Sequence, residues 1–422
     1  LGGAGGNEAT GTDQGGGGGG GGRVLYHVAS YTAGSTLVLP SPQLNGAGGG
    51  QTGGGAGAFG SARLDVGTTI VPDGQVFTFD APQVNEFTTS NVTVNAGGVA
   101  VTPGAYTNVG TVTVAAGGTF TGTGALKGGS WVLAGGPVTA LAGFTADGTT
   151  SVTGHGTFAG KITSTGTGGS IQASGGALVM GDATVAGAFN YNGAITVGIS
   201  GQPASLILLA ASHAVIGNTT INAGSISAPN GTTLRSGTAL TAATAASIGG
   251  AFTNNGTVGG PTAAGSFLTF TDDVNGAGNY TGNVKFSDGF SPGTGPADVS
   301  LENMAFDNTA GLTMELGGRN EGSQYDRLTI SGNAALDGTL DVTLINGFVP
   351  RVGDSFLLLD GGTLSGGFGN LDLPALPGGE QWVVDQEAGS LSVTVAEVPE
   401  PATVAMVGMG MAVLGWRRRG KR

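Results

Sequence analysis

Five glycine-ended segments recur through the first half of the chain at a nearly constant step. Val92-Thr-Val-Asn-Ala-Gly-Gly98 is followed by Val112-Thr-Val-Ala-Ala-Gly-Gly118, Trp131-Val-Leu-Ala-Gly-Gly136, Ser151-Val-Thr-Gly-His-Gly156 and Ile171-Gln-Ala-Ser-Gly-Gly176. Their final glycines fall at 98, 118, 136, 156 and 176, a spacing of 18 to 20 residues. A step of that size suits one coil of a parallel β-helix, in which short strands alternate with turns that recur at the same corner of the next coil. Glycine at the corner supplies the positive φ that a tight bend needs. The whole chain has the matching texture: 88 of its 422 residues are Gly, only 16 are Pro, and no Gly-X-Y period runs through them. Ala, Thr, Val, Ser and Asn fill most of the remainder, which favours short strands and turns over long helices. The expected fold class is therefore all-β, a parallel β-helix or β-solenoid.

The step becomes ragged after about residue 200, although Ile195-Thr-Val, Val215-Ile, Ala245-Ala-Ser-Ile248 and Phe267-Leu-Thr-Phe270 still read as strands. From about Leu301 longer alternating segments replace them: Leu312–Leu316, Leu340–Leu344 and Leu391–Val395, with Asn333, Asp337-Gly338, Asn346-Gly347 and Gly361-Gly362 as turn residues between. The expected organisation is a Gly-rich disordered linker over 1–22, solenoid repeats over 23–300, a C-terminal β region over 301–396 that caps the solenoid, and a distinct tail over 397–422. A repeat stack needs a cap because its last coil otherwise exposes apolar side chains and unpaired strand edges.

Charge is unevenly placed. The chain carries 14 Lys and Arg against 27 Asp and Glu, a net of −13, and five of the cations lie within the last six residues. Removing those five leaves nine cations against 27 acids, a net of −18. Such a body lacks the basic groups that neutralise phosphates, so nucleic acid is not an expected partner. Cysteine is absent, which removes disulfides, thiolate metal ligands and a cysteine nucleophile. The sequence opens at Leu1 with no basic-then-apolar leader, and its N-terminus reads as truncated.

The tail runs Val398-Pro-Glu-Pro401, then an apolar stretch from Ala402 to Trp416, then Arg417-Arg-Arg-Gly-Lys-Arg422. Pro401 and Glu400 suit a helix start, because the ring pre-sets φ and the carboxylate favours the positive end of the helix dipole. As a helix the run from 402 to 416 is about 22 Å long, against roughly 30 Å of bilayer core. Trp416 and the arginines extend that short span with an interfacial anchor and snorkelling side chains, and the basic end stays cytoplasmic. The expectation is a single short C-terminal transmembrane helix with the preceding body outside.

This tail resembles the PEP-CTERM sorting domain. The resemblance rests on Val398, Pro399, Glu400 and Pro401, on the apolar run, and on the boundary residues Trp416, Arg417, Arg418 and Arg419. It implies recognition and processing by an exosortase, a membrane enzyme of Gram-negative bacteria that make exopolysaccharide. A second resemblance, to the C-terminal part of autotransporter-type passenger β-helices, covers roughly Phe286 to Val395. It rests on Phe290-Ser-Pro-Gly293, Tyr325-Asp-Arg-Leu-Thr-Ile-Ser-Gly332, Leu336-Asp-Gly-Thr-Leu340, Gly353-Asp-Ser-Phe356 and Leu391–Val395. That likeness implies architecture and no particular activity.

The search for chemistry returns little. His27, His155 and His213 stand far apart with no metalloprotease spacing, and no G-x-S-x-G elbow occurs. His155-Gly-Thr-Phe-Ala-Gly-Lys-Ile162 lacks both the first glycine and the hydroxyl of a P-loop and reads as a coil corner. Gly366-Gly-Phe-Gly-Asn-Leu-Asp372 nearly matches a calcium-binding repeat but occurs once, which favours a hairpin turn. Asp272, Asp273, Lys285 and Asp288 are the best candidates for a polysaccharide-lyase-like cluster, with carboxylates for a metal and a cation as proton acceptor. A solvated face is the plainer account of them. Threonine pairs at 111/113, 119/121 and 163/165/167 raise ice binding, but they show no coil period in the sequence. The expected protein is an exported, non-catalytic structural or adhesive solenoid with no cofactor. Its partners are an exosortase, transiently the inner membrane, and extracellular polysaccharide at the cell surface or in the matrix.

Overall fold

The computed structural model describes residues 24–32, 62–78 and 86–398, and every regular element among them is a β-strand. They wind a parallel β-solenoid of about 11 turns. The linker expected over 1–22 and the tail from Pro399 onward lie outside the described residues.

The chain forms two compact units, one reaching to Val274 and including Gly278–Lys285, the other comprising Asn275–Ala277 and Phe286 onward. In the first unit one column of inward residues runs Thr69, Val92, Val112, Trp131, Val152, Ile171, Ile195, Thr219, Leu240, Val258 and Tyr280, each the direct parallel partner of the next. The steps are 18 to 24 residues. Phe77, Ala100, Phe120, Val138, Phe158, Met180 and Leu208 form a second column. Tyr106, Leu126, Phe144, Ile162 and Phe189 form a third. Each coil thus closes a three-faced core, because strand alternation sends every second side chain inward.

The aromatic residues concentrate where the three columns meet. Trp131 is fully buried, with Phe120 at 5.2 Å, Phe158 at 5.5 Å and Phe144 at 5.8 Å between ring centroids, all edge-on. Its indole N–H donates to the Gly128 carbonyl at 2.8 Å, which satisfies the one polar atom it brings into the core.

The glycine pairs divide their work differently from the expectation. The left-handed bend lies on the first glycine, with φ of 73° at Gly97, and the final glycine serves close approach. A Cβ on Gly98 would stand 2.6 Å from the Val71 carbonyl of the preceding coil. Nor are all five sites corners: Gly156 lies inside the continuous strand Ser151–Ser164 and Gly176 inside Ser170–Asp182. The register slips between Gly154 and Gly156, so the corner has become a bulge in an unbroken strand.

The second unit begins its main span at Phe286, the first residue of the segment that resembles autotransporter passengers. Its coils are longer. Phe290 pairs with Leu312, Leu312 with Leu340 and Leu340 with Leu371, while Met304, Ala334 and Leu364 form a second column and Val299, Leu328 and Leu359 a third. Two of the strands expected to close the solenoid, Gly311–Leu316 and Thr339–Leu344, are therefore ordinary parallel coil strands. Only Ser390–Glu397 turns antiparallel, lying between Ser355–Asp360 and Glu380–Gln386. Asn346 has the only positive φ of a non-glycine residue among the described ones, 54°, and with Gly347 at 69° it makes a turn closed by the Phe348 N–H on the Ile345 carbonyl.

Candidate functional site

The sequence candidates for chemistry are mostly absorbed into architecture. The Asp272 carboxylate accepts the Gly250 N–H and the Thr271 hydroxyl, each at 2.8 Å, and so ties one coil corner to the previous coil. The Asp273 carbonyl accepts the Phe252 N–H at 2.8 Å. Lys285 follows one coil later in the strand Asn283–Phe286, and Asp288 belongs to the second unit. His213 shares a 3.2 Å hydrogen bond with the Thr233 hydroxyl on the next coil, whereas His155 lies against Gly175 and Gly176. The His27 side chain lies outside the described residues. The P-loop-like stretch 155–162 is extended strand, not a loop leading into a helix. Gly366–Asp372 is a coil corner between two parallel-paired strands instead of a hairpin, with Asp372 directly opposite Asp341. Burial first, and then the charge of Asp372, raise the Asp341 carboxyl above the ordinary range. Among the described residues no three His, Cys, Asp or Glu side chains gather to hold a metal ion.

Sequence reading missed the polar centre of the second unit. Asp326 is fully buried, and its carboxylate accepts the Ala297 N–H at 2.8 Å and the Glu315 N–H at 2.7 Å. Burial pushes its pKa up to about 7, against the opposing pull of those two donors. Beside it Arg327 bridges Glu321 and Asp360, both at 2.9 Å, and Tyr325 packs edge-on against Phe356 at 5.3 Å. Leu328 and Ile330 then enter the core. The segment Tyr325–Gly332 is thus a staple that fixes three coil segments together. Its only sequence signal was an acid between a tyrosine and an arginine, immediately before an alternating strand.

The tail starts where the last ladder stops. Glu397 is the final residue of the strand Ser390–Glu397 and pairs with Glu380, and the Val398 N–H donates to the Gly379 carbonyl at 2.8 Å. Val398 is exposed, and Pro399, Glu400, Pro401, Trp416, Arg417, Arg418 and Arg419 lie outside the described residues, as does the helix expected over 402–416. Among the described residues no helix is long and apolar enough to cross a membrane. Residues 397–419 match the family model of the PEP-CTERM protein-sorting motif. The chain carries a PEP-CTERM sorting signal.

That PEP-CTERM match begins one residue before Val398, so signal and fold share the end of a single strand. The signal implies an exported protein, sorted through an exosortase at the membrane of a Gram-negative bacterium. No curated protein matches the chain. The PEP-CTERM match covers the tail alone, and the solenoid is known from its own geometry.

Proposed function

We propose that this protein is a non-catalytic solenoid of the cell surface or the exopolysaccharide matrix, held briefly at the inner membrane by its tail and released by exosortase processing. The carrying observation is the junction at Val398, where a sorting signal follows directly on a completed β-stack. A scaffold of stacked coils presents long, regular faces, a geometry suited to structural or adhesive work. The short apolar run favours a transient hold over a permanent anchor.

Deletion of Pro399–Arg422 tests the sorting step. The truncated protein is expected to differ from the intact one in final size and in cellular fraction, and an unchanged fate refutes the role of the tail. The non-catalytic reading is tested separately, by incubating the protein with acidic polysaccharides. Release of unsaturated sugars that Asp273→Ala abolishes would establish a lyase in its place.

A further inference from the structure

The register brings together a surface that the sequence hides. On the first face of the first unit, each outward residue that follows a core position stacks on its counterpart one coil away. Thr93, Thr113, Thr153, Thr196, Thr220 and Thr241 occupy six of the eight successive places between them, with Val132 and Gln172 in the other two. Seven steps of strand spacing make this row about 34 Å long. All six threonines are at least partly exposed, and among the described residues none of their hydroxyls is hydrogen-bonded within the chain. Elsewhere threonine hydroxyls are used internally, as at Thr163 on the Phe144 carbonyl, Thr165 on Ala146 and Thr123 on Pro103. β-Branching restricts χ1, so the row presents its hydroxyls in few orientations.

A groove lies against this row. Ser151, Ser170 and Ala194 are stacked partners two residues before Thr153, Gln172 and Thr196, and they line an open groove of about 570 Å³. That volume falls within the range of small-ligand sites. Thr167, Asn192 and Asn218 supply further polar groups to its walls. Its rim is fixed by Asp147, whose carboxylate takes the Thr149 N–H, the Thr149 hydroxyl and the Thr150 hydroxyl at 3.0, 2.7 and 3.2 Å. The Thr149 hydroxyl first, and then these other bonds, hold that carboxyl below its usual range. The one charge at the rim is therefore spent on the loop.

We infer that this row and groove bind an uncharged linear polysaccharide laid along the solenoid axis. The inference deepens the matrix reading above and rests on it for biological setting only. Hydroxyl and amide groups both donate and accept, as sugar hydroxyls do, so they match a neutral glycan edge for edge. The row has no cation to pair with uronates or phosphates, and an acidic body repels polyanions. The length of the row calls for a polymer. A crystal face of ice would need a flat, unbroken array, whereas Gln172 interrupts the row and a groove flanks it.

The test is affinity electrophoresis of the full chain through gels containing soluble neutral glucans, mannans and galactans, with alginate as the charged control. At least one neutral glycan is expected to retard the protein, and alginate is not. Thr153→Val with Thr196→Val removes two hydroxyls while keeping side-chain shape, and weakens that retardation about tenfold. Unchanged circular dichroism shows that the variant folds, and Asn192→Ala gives a second reading from the groove. Retardation by none of the neutral glycans, equal retardation by alginate, indifference to both substitutions, or shaping of growing ice crystals without glycan binding would each overturn the inference. The tail deletion reads location instead of affinity, so failure of one proposal is distinguishable from failure of the other.

Discussion

The Val398 N–H donates to the Gly379 carbonyl, and the next residue is the first proline of the sorting tripeptide. Four residue steps separate Val398 from Ala402, a reach of at most about 14 Å. While the tail is held in a membrane, the hairpin of Glu380–Gln386 and Ser390–Glu397 must stay within that reach of the apolar run. An enzyme that needs extended chain upstream of the tripeptide must therefore release the last strand. Gln381 and Ala396 are direct antiparallel partners, and the chain has no other cysteine to interfere with a bridge between them. Gln381→Cys with Ala396→Cys is expected to block conversion of the precursor to the smaller form in oxidising medium, with recovery on reduction. Equal conversion rates, read by immunoblot, would show that the tripeptide is taken from the closed hairpin.

Asp326 makes stability depend on pH in the direction opposite to most carboxylates. Its folded pKa of about 7 lies above the ordinary unfolded value near 3.9, so the native state holds the extra proton between them. The contribution is fully present below about pH 4 and is lost as pH rises through about 7, a change on the order of 2 to 4 kcal/mol. Thermal unfolding of the second unit should therefore shift upward on moving from pH 7.5 to pH 5. Asp326→Asn should flatten that dependence.

Trp131 joins all three core columns near the middle of the aromatic cluster. Trp131→Ala should destabilise the first unit by about 3 to 5 kcal/mol, since coil-to-coil register prevents collapse into the space left. Urea unfolding monitored by far-UV circular dichroism reads the loss. Trp131→Phe should recover most of it, apart from the bond to the Gly128 carbonyl.

Two glycine substitutions separate strain from collision. Gly74 has a φ of 69° with open space around it, and Gly74→Ala should cost about 1 kcal/mol from backbone conformation alone. Gly98→Ala meets the Val71 and Pro72 carbonyls, with the nearer at 2.6 Å, and should cost about 2 to 3 kcal/mol. Equal midpoints in urea would refute the division of labour between bend and approach.

The first coils were legible because their corners are cut to one length, so glycines at 98, 118 and 136 line up by counting. Beyond Ile171 the inward column continues without a gap through Ile195, Thr219, Leu240, Val258 and Tyr280. Its members share neither shape nor spacing, because loops of changing length are inserted between strands. The same variation hid the threonine row: Thr153 and Thr196 are two coils apart yet 43 residues apart in sequence. Asp326 escaped for another reason. Nothing in a single acidic residue tells whether two backbone donors from distant segments will converge on it.

The register ladders of the first unit also bear on how the protein is made. Each strand there finds its partner 18 to 24 residues upstream, a short loop to close for a chain of this length. A polypeptide threaded outward from its N-terminus can therefore wind as it emerges, one coil templating the next, without waiting for its far end. Closure at Val398 comes last in that sequence, so the state of the final hairpin reports whether the whole spool has been wound before the tail is cut.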